Sequence, residues 1–245
     1  MTRGPLPLRD AFASAETKRR YVRDLFATIA DRYDLITVLL SFGLDRRWKR
    51  RVITLSKAAP GRRTLDLACG TGDLAFGAAA AGAAVVGLDV THRMVQLARA
   101  KRPARRGPAS TATFVQGDMT ALPFADAQFD IVTTGYGLRN VPDLTAAIAE
   151  IRRVLRPGGI LVSLDFNRPH NAVVRTVYLA YLTIVGGALG WVLHRNPDTY
   201  RYIPASIRRY PGAGGVVDLL RSAGFSSAEW TRVLGGLMAI HVARR

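Results

Sequence analysis

Glycines and carboxylates stand between apolar runs over residues 64–89, and their spacing suits the binding of a nucleoside cofactor. Gly70 and Gly72 form a turn in which the backbone can approach a ligand where a Cβ would clash. A helix that begins after this turn directs unpaired N–H groups toward the same ligand. Asp89 ends the next apolar run, where a carboxylate can accept hydrogen bonds from ribose hydroxyls.

This stretch alone does not identify the cofactor. Gly70-x-Gly72-x-x-Ala75 matches the dinucleotide fingerprint, and Asp89 follows at the expected interval of about 20 residues. Nicotinamide dinucleotides and S-adenosylmethionine therefore remain equal alternatives at this point.

Three downstream features favour S-adenosylmethionine. Asp118 and Met119 follow a third apolar run, residues 126–134 (DAQFDIVTT) form a fourth, and residues 155–159 (LRPGG) lead into a fifth. The ordered set resembles the Class I S-adenosylmethionine-dependent methyltransferases. The resemblance implies that Asp66 and residues 70–72 face the methionine end, Asp89 the ribose, and Asp118 with the Met119 backbone the adenine.

The elements that must position these residues alternate between strand and helix. Apolar runs predict strands over residues 64–68, 84–89, 112–116, 129–134, 159–166, 227–233 and 237–243. Helices are expected over residues 73–82, 91–102, 143–155 and 213–223, with a stop at Arg156-Pro157-Gly158-Gly159. This alternation predicts an α/β, Rossmann-like seven-stranded sheet, mostly parallel with an antiparallel C-terminal edge hairpin. We expect one domain over residues 1–245, with an N-terminal helical lid (1–60) and a helical insertion (171–210).

A narrower resemblance rests on segments outside the cofactor motifs. The chain is similar to the ubiquinone/menaquinone biosynthesis C-methyltransferases over residues 26–51, 135–141 (GYGLRNV), 164–167 (LDFN), 199–211 and 236–241. GYGLRNV followed by LDFNRP is most similar to the naphthoquinol branch. The resemblance implies methyl transfer to a ring carbon of a prenylated quinol, with demethylmenaquinol as the expected acceptor. A ubiquinone precursor or another phenolic lipid is the alternative.

Carried over by position, the cofactor contacts of that family fall on Thr71, Asp89, Asp118, Met119 and Gly135. Family members often have Asn where this chain has Asp118, and both side chains can accept a hydrogen bond from an adenine amino group. The family also often has Asn where this chain has Thr37, so we assign no substrate contact to that position.

Three residues are predicted to act on the acceptor. Arg139 and Asn140 follow the fourth strand at the edge of the sheet that carries the cofactor, where a guanidinium and an amide could stabilise phenolate oxygen. Tyr33, in the N-terminal lid, could pack on the ring or form a hydrogen bond with it. Bracing of a loop by Arg139 and Asn140, and a core position for Tyr33, are the structural alternatives. His241 is interpreted as structural.

The net charge of +17 favours a polyanionic partner or an anionic membrane. Residues 176–193 are uncharged and apolar, near the lower limit of about 18–20 residues for crossing a bilayer. Spanning would separate segments that complete one domain, so we expect shallow docking on an anionic membrane through 176–193 and basic patches. The protein is then expected to be cytoplasmic and peripherally bound to the inner membrane, and a homodimer is retained as an option.

Other classes of function fit the sequence less well. The single cysteine, Cys69, excludes intramolecular disulfides and cysteine metal clusters, so no metal site is predicted. Cytosine C5 methylation normally needs a cysteine nucleophile, and Cys69 lies inside the cofactor turn. Adenine methylation motifs and RNA-binding signatures are absent from the sequence, so no nucleic-acid partner is expected. A non-catalytic protein with a vestigial fold is disfavoured by the intact acids at 66, 89 and 118. The first twenty residues lack the apolar core of a signal peptide.

Overall fold

A seven-stranded mixed sheet forms the centre of the computed structural model, which describes residues 6–101 and 112–245. The strands lie in the order β3-β2-β1-β4-β5-β7-β6. Their bounds are Arg63–Leu67 (β1), Ala84–Asp89 (β2), Ala112–Gln116 (β3), Phe129–Gly135 (β4), Leu155–Phe166 (β5), Ser227–Val233 (β6) and Met238–Arg244 (β7). Strands β1 to β5 pair in parallel, and β7 pairs antiparallel with both β5 and β6. The predicted fold class is confirmed.

Nine α-helices in the described ranges surround the sheet. They are Ala15–Ile29 (α1), Tyr33–Leu40 (α2), Asp45–Ser56 (α3), Asp73–Ala80 (α4), His92–Ala100 (α5), Leu144–Val154 (α6), Ala172–His194 (α7), Asp198–Arg209 (α8) and Gly212–Ser222 (α9). Local sequence sets several starts: the Ser14 side chain accepts from Thr17 N ahead of α1, and Asp143 accepts from Ala146 N ahead of α6. The predicted end of the helix at residue 102 lies outside the described residues.

The fifth strand begins earlier than the sequence predicts. Helix α6 ends at Val154 as expected, but β5 begins at Leu155 and not at residue 159. Leu155 pairs with Phe129, and the ladder is irregular until Ile160 pairs with Ile131. Gly158 (φ +75°) donates its N–H to Arg245 O, so the breaker segment is extended and hydrogen-bonded. Residues 156–159 therefore lie within β5 and do not form a loop between α6 and β5.

The insertion consists of two packed helices, α7 and α8. Gly186, Gly187 and Gly190 of α7 are buried against the start of α8. A Cβ on Gly190 would lie 2.5 Å from Asn196 O. Small residues therefore allow the two backbones to approach closely, and the insertion lies over the carboxyl edge of β5 through Phe166, Tyr178 and Ile207.

The parallel register brings the predicted cofactor residues to one edge of the sheet. Leu67 pairs with Leu88 on one side and with Thr134 on the other. The chain therefore leaves β1, β2 and β4 at the same level, next to the glycine turn, Asp89 and Gly135. The core beneath this edge contains side chains with no exposed surface, among them Leu65, Leu67 and Val132.

Candidate active site

The glycine turn after β1 is fixed by a carboxylate from β2. Gly70 adopts φ +54° and Gly72 adopts φ +90°, a region that favours glycine. Gly70 N donates to Asp89 Oδ2 (2.9 Å), and Thr91 N donates to Asp89 Oδ1 (2.8 Å). Burial raises the pKa of Asp89, although these two N–H groups oppose that effect. Asp89 thus ties β2 to the turn and keeps its remaining lone pairs at the carboxyl edge.

Gly72 serves the packing of the turn. A Cβ there would lie 2.9 Å from the rings of Phe114 and Phe76. Gly72 N donates to Cys69 O, and Gly72 caps α4. The sequence grouped Gly72 with Gly70 as a cofactor contact; Gly72 packs against this aromatic pair, and its neighbours Thr71 and Asp73 line the third cavity described below.

Asp118 and Met119 follow β3 on the far side of Asp89. Asp118 Oδ1 accepts from the Thr120 N–H and hydroxyl, and Asp118 Oδ2 accepts from Arg19 Nε of α1 at 2.8 Å. Met119 is buried beside Leu88 and Leu138 in the core. A residue of the N-terminal helices therefore closes over the predicted adenine position, and the sequence analysis did not identify Arg19.

Asp66 carries a buried carboxylate oxygen without a hydrogen-bond partner. Asp66 Oδ1 accepts from the Thr133 hydroxyl at 2.8 Å, whereas no described donor reaches Oδ2. Burial raises the pKa of Asp66 to about 7, against the opposing effects of the Thr133 hydroxyl, the Ala75 backbone N–H and the Lys49 charge. Thr71 lies nearby and donates to Asp34 Oδ1 at 2.6 Å.

Three adjoining cavities open at this edge. The first cavity, about 690 Å³, is lined by Asp89, Asp118, Met119 and Gly135 among others. The second cavity, about 1040 Å³, is lined mainly by apolar and aromatic side chains of α1, α2, α7 and α8. The third cavity, about 310 Å³, is lined by residues that include Asp66, Gly70, Thr71 and Lys49.

The first and second cavities share four lining residues, Phe26, Tyr33, Tyr136 and Asn140. Asn140 Nδ2 donates to Tyr136 O (2.7 Å), and Asn140 Oδ1 is buried without a described partner. Burial raises the pKa of Tyr33 to about 12, so this phenol is a hydrogen-bond donor at neutral pH. Two of the three residues predicted to act on the acceptor thus lie at the boundary between the cavities.

Arg139 also borders the second cavity, but its charge is balanced within the protein. Its backbone N and its Nε donate to the two carboxylate oxygens of Asp165, and Nη1 donates to the Ser206 hydroxyl. The guanidinium lies 5.0 Å from the ring centre of Phe166. Only 4% of its side-chain surface is exposed. These contacts agree with the alternative interpretation from sequence, in which Arg139 braces a loop. His241 is likewise buried, with Nε2 3.1 Å from Ala213 O.

Sequence reasoning also missed Lys49, which lies in the basic run of residues 46–51 around Trp48. The Trp48 side chain is buried in a core cluster that includes Leu74 and Ile160. Lys49 points inward and donates to Asp73 Oδ2 at 2.9 Å, whereas Arg46, Arg47 and Arg50 are exposed. The spacing of Asp45, Trp48, Lys49 and Val52 on one face of α3 was the available signal.

These cavities fit S-adenosylmethionine. An adenosine group matches the first cavity, where Asp118, Met119 and Asp89 lie in sequence along the edge. The unpartnered Asp66 Oδ2 lies in the adjoining third cavity, where a cofactor ammonium would supply the missing donor. A Cβ on Gly137 would lie 2.9 Å from the Ala68 Cβ, so a small residue keeps this edge open.

Comparisons with known proteins agree with this geometry. Solved structures with the same fold include magnesium protoporphyrin IX methyltransferase from Synechocystis with bound S-adenosylhomocysteine, with a TM-score of 0.66 and 22% identity over 93% of this chain and 99% of that one. A putative methyltransferase of Haloferax volcanii in complex with the Trm112 activator matches with a TM-score of 0.64 and 18% identity over 89% of this chain and 96% of that one.

Proteins found by sequence similarity are more similar to this chain than these solved structures are. The ubiquinone/menaquinone biosynthesis C-methyltransferases UbiE of Shewanella oneidensis and Shewanella halifaxensis are each 38% identical over 230 residues, 93% of this chain and 91% of the relative. The model of the ubiE/COQ5 methyltransferase family matches residues 14–245. The fold, the predicted cofactor residues at one sheet edge and these matches lead to one conclusion: the chain is an S-adenosylmethionine-dependent methyltransferase and belongs to the ubiE/COQ5 methyltransferase family.

Proposed function

We propose that this enzyme methylates a ring carbon of a prenylated quinol in quinone biosynthesis, and that demethylmenaquinol is its acceptor. The observation that carries the proposal is the second cavity, which is large, mainly apolar and adjacent to the cofactor cavity. The curated relatives carry the name ubiquinone/menaquinone biosynthesis C-methyltransferase. The residues 135–141 and 164–169, GYGLRNV and LDFNRP, favour the naphthoquinol over the benzoquinol acceptor.

The two ends of the second cavity suit the two ends of such an acceptor. Tyr33, Tyr136 and Asn140 lie at the end shared with the first cavity, where a hydroxylated ring can form hydrogen bonds. Ile36, Leu40, Leu182 and Ile203 line the remainder, where a prenyl tail would replace water. A polar head and an apolar body therefore have separate places.

The chemistry requires an electron-rich ring carbon. A quinone ring is a poor nucleophile, so the reduced quinol is the reactive form, and loss of a phenolic proton places electron density on the adjacent carbon. When bound, S-adenosylmethionine would supply the methyl group: the ring carbon would form the new C–C bond as the S–CH₃ bond breaks with its electron pair going to sulfur, and the ring proton would then pass to water. The protein orients the ring and excludes water.

We assign the residues that contact the acceptor from their positions. Asn140 Oδ1 is buried and unpartnered among the described residues, and it accepts a quinol hydroxyl. Tyr33 donates to the ring oxygen, since its raised pKa keeps it protonated. Arg139, held by Asp165 and Ser206, fixes the turn that carries Asn140. Asp66, Gly70, Thr71, Asp89, Asp118, Met119 and Gly135 are assigned to the cofactor, and Gly72 to the shape of the turn.

We further propose that α7 and α2 place the mouth of the second cavity on an anionic membrane. Phe42, Tyr181 and Leu234 line this cavity and are exposed, with 73% of Phe42 accessible. On the outer face of α7, Ile184 is 72% and Trp191 is 68% exposed. By length and composition α7 could cross a membrane, but a third of its apolar window is buried inside the protein. Shallow docking leaves that packing intact.

Charge near this face agrees with docking. Exposed arginines stand beside both the lid and the insertion: Arg46 and Arg47 follow Phe42 by a few positions, and Arg168 and Arg195 flank α7. Each basic residue close to an anionic surface contributes roughly 1 kcal/mol. These contacts would keep the enzyme cytoplasmic and peripheral on the inner membrane.

The function is tested with purified enzyme, methyl-labelled S-adenosylmethionine and liposomes that hold either demethylmenaquinone or a demethylated ubiquinone precursor. Each acceptor is offered reduced and oxidised, and the product is identified by mass. We expect label on the naphthoquinone only after reduction. Label on the benzoquinone alone, or equal labelling without reductant, would overturn the assignment. Asp89→Ala is the cofactor-deficient control.

Membrane docking is tested by flotation with anionic vesicles. We expect Ile184→Glu to reduce the floating fraction severalfold, because it places a charge where an apolar side chain enters the lipid. Ser227→Glu makes the same charge change at the exposed end of β6 remote from Leu234, and it should float like the wild type. A wild-type protein that stays with the soluble fraction would contradict docking.

A further inference from the structure

The third cavity continues the first and is lined by both acidic and basic side chains. The two cavities share Tyr33, Ala68, Gly70, Gly135 and Tyr136. The basic side chain in the lining of the third cavity is Lys49, and the carboxylic acids are Asp66 and Asp73. A ligand whose adenosine occupies the first cavity therefore extends its other end into a space with both cationic and anionic walls.

The cofactor carries matching charges at that end. Its methionine portion has an ammonium and a carboxylate on the same carbon, so a carboxylate and a cation a few ångströms apart can bind both groups. Asp66 Oδ2, buried and without a described partner, is placed for the ammonium. Among the side chains of this cavity, the complementary cation is the Lys49 ammonium.

Lys49 is oriented by two carboxylates and retains one donor. Its Nζ lies 2.6 Å from Asp45 Oδ2 and 2.9 Å from Asp73 Oδ2, and 13% of its side chain is exposed. An ammonium has three N–H donors, so two bonds leave a third for a ligand. Burial lowers the pKa of Lys49, but the facing groups Asp73, Tyr33 and Asp45 raise that pKa by more than burial lowers it. The side chain therefore stays charged.

A second lysine reduces the competition between Asp73 and a ligand carboxylate for Lys49. Lys101 Nζ lies 2.6 Å from Asp73 Oδ1, on the opposite oxygen from the one that Lys49 contacts. Asp73 is therefore neutralised from both sides, and its pKa falls to about 2, because the two lysines outweigh the effect of burial. Lys49 can then bind a further carboxylate without leaving Asp73 unpaired.

We propose that Lys49 of α3 binds the carboxylate of the cofactor's methionine end, while Asp66 binds its ammonium. The N-terminal helices thereby contribute directly to cofactor recognition through a residue outside the glycine turn. This contact to the cofactor does not depend on which quinol the enzyme methylates.

The test compares ligands that differ in the carboxylate alone. Isothermal titration measures binding of S-adenosylmethionine and of decarboxylated S-adenosylmethionine to wild-type protein and to Lys49→Gln. A hydrogen bond to a charged group predicts that Lys49→Gln weakens S-adenosylmethionine about 10- to 100-fold. The decarboxylated ligand should bind both proteins within about twofold, because it cannot make the contact. Equal weakening of both ligands would assign Lys49 a structural role and overturn the proposal.

Two further measurements control for the loss of one charge and for a variant that does not fold. Arg50→Gln removes one positive charge from the exposed side of the same helix, and it should bind both ligands as the wild type does. If Lys49→Gln does not fold, the wild-type protein decides alone. It should bind S-adenosylmethionine at least about tenfold more tightly than the decarboxylated ligand. Equal affinities would refute a cation at this position.

Discussion

Arg139 and Arg156 each pair with an aspartate, yet their surroundings give the two pairs different energies. The Arg139–Asp165 pair is buried, with 4% and 0% of the side chains exposed, whereas 43% of the Arg156 side chain is accessible beside Asp130. Removing one member of a buried pair leaves a charge without compensation, while an exposed pair is screened by water. The same change should therefore have unequal effects at the two positions.

We expect Arg139→Ala to lower the free energy of unfolding by about 3–5 kcal/mol, because it strands the Asp165 carboxylate in the core. Arg156→Ala should cost under about 1 kcal/mol. Chemical denaturation of both variants measures the difference. Similar losses in the two proteins would mean that Asp165 finds another partner. In the folded Arg139→Ala protein, turnover should fall far more than cofactor affinity.

Asp66 should impose a pH dependence on stability. Its pKa is about 7 in the folded protein because of burial, against about 3.9 in an unfolded chain. Between these values the folded state holds a proton that the unfolded state has lost, so stability from this group is present below about pH 4 and lost as pH rises through about 7. The stability of the wild type relative to Asp66→Asn should fall from pH 5 to pH 8, as measured by denaturation at each pH.

Asp130 provides a control of opposite sign. Burial raises the pKa of Asp130, but hydrogen bonds from Arg63 N and the Arg156 side chain outweigh it and leave the pKa lowered. Its stabilising contribution is therefore present above its ordinary pKa and lost only as pH falls below about 4. Asp130→Asn should differ from wild type by the same amount at pH 5 and pH 8. A slope there would implicate other groups in the behaviour of Asp66.

At the scale of elements, the packing of α7 against α8 depends on glycines. In the sequence these glycines stand within an apolar run and give no sign of that role. A Cβ at Gly190 would meet Asn196 O at 2.5 Å, whereas a Cβ at Gly214 in α9 meets no atom within 4 Å. Both are helical glycines, so intrinsic propensity treats them alike. Packing makes one of them necessary.

We expect Gly190→Ala to destabilise the protein by about 1–3 kcal/mol, since backbone must move to admit the methyl group. Gly214→Ala should stabilise by about 0.5–1 kcal/mol, because alanine loses less backbone entropy in a helix. Denaturant titration of the two variants gives both signs. Stabilisation by Gly190→Ala would mean that α8 does not lie as close as described.

Element types were largely predictable from sequence, and the exceptions have physical causes. Period-2 and buried apolar runs located all seven strands, because each strand has its own turn signals. The start of β5 was misplaced, since Arg156-Pro157-Gly158 ends a helix by local geometry, whereas its pairing with Phe129 and Arg245 is non-local. The inward orientation of Lys49 depends similarly on Asp73, which is distant in sequence.

At the scale of the whole molecule, the +17 charge should appear as salt dependence of membrane binding. Added salt screens charges over about 10 Å at 0.1 M, whereas burial of Ile184 and Trp191 in lipid does not depend on ionic strength. Flotation with anionic vesicles should fall as sodium chloride rises from 0.05 to about 0.5 M. Binding to neutral vesicles should be weaker and insensitive to salt. Equal dependence on both would point to salt-induced change in the protein itself.

The residues of the candidate site differ in whether the sequence alone could place them there. Motif residues such as Asp89 and Gly70 could be placed from sequence, because a parallel sheet collects the carboxyl ends of its strands at one edge. Arg19 and Lys49 could not, since they reach that edge from helices whose packing depends on the whole fold. The second cavity could not be located either, because its walls come from five helices, α1, α2, α3, α7 and α8, and from residues near the ends of the strands.

The mouth of the second cavity opens among Phe42, Tyr181 and Leu234, all exposed on the surface. If the enzyme docks on the membrane as proposed, it meets its acceptor through this opening in two dimensions. Its rate then follows the mole fraction of quinol among the lipids and not the quinol concentration per litre. Diluting loaded vesicles with buffer would leave turnover by bound enzyme unchanged, whereas spreading the same quinol over more lipid would slow it.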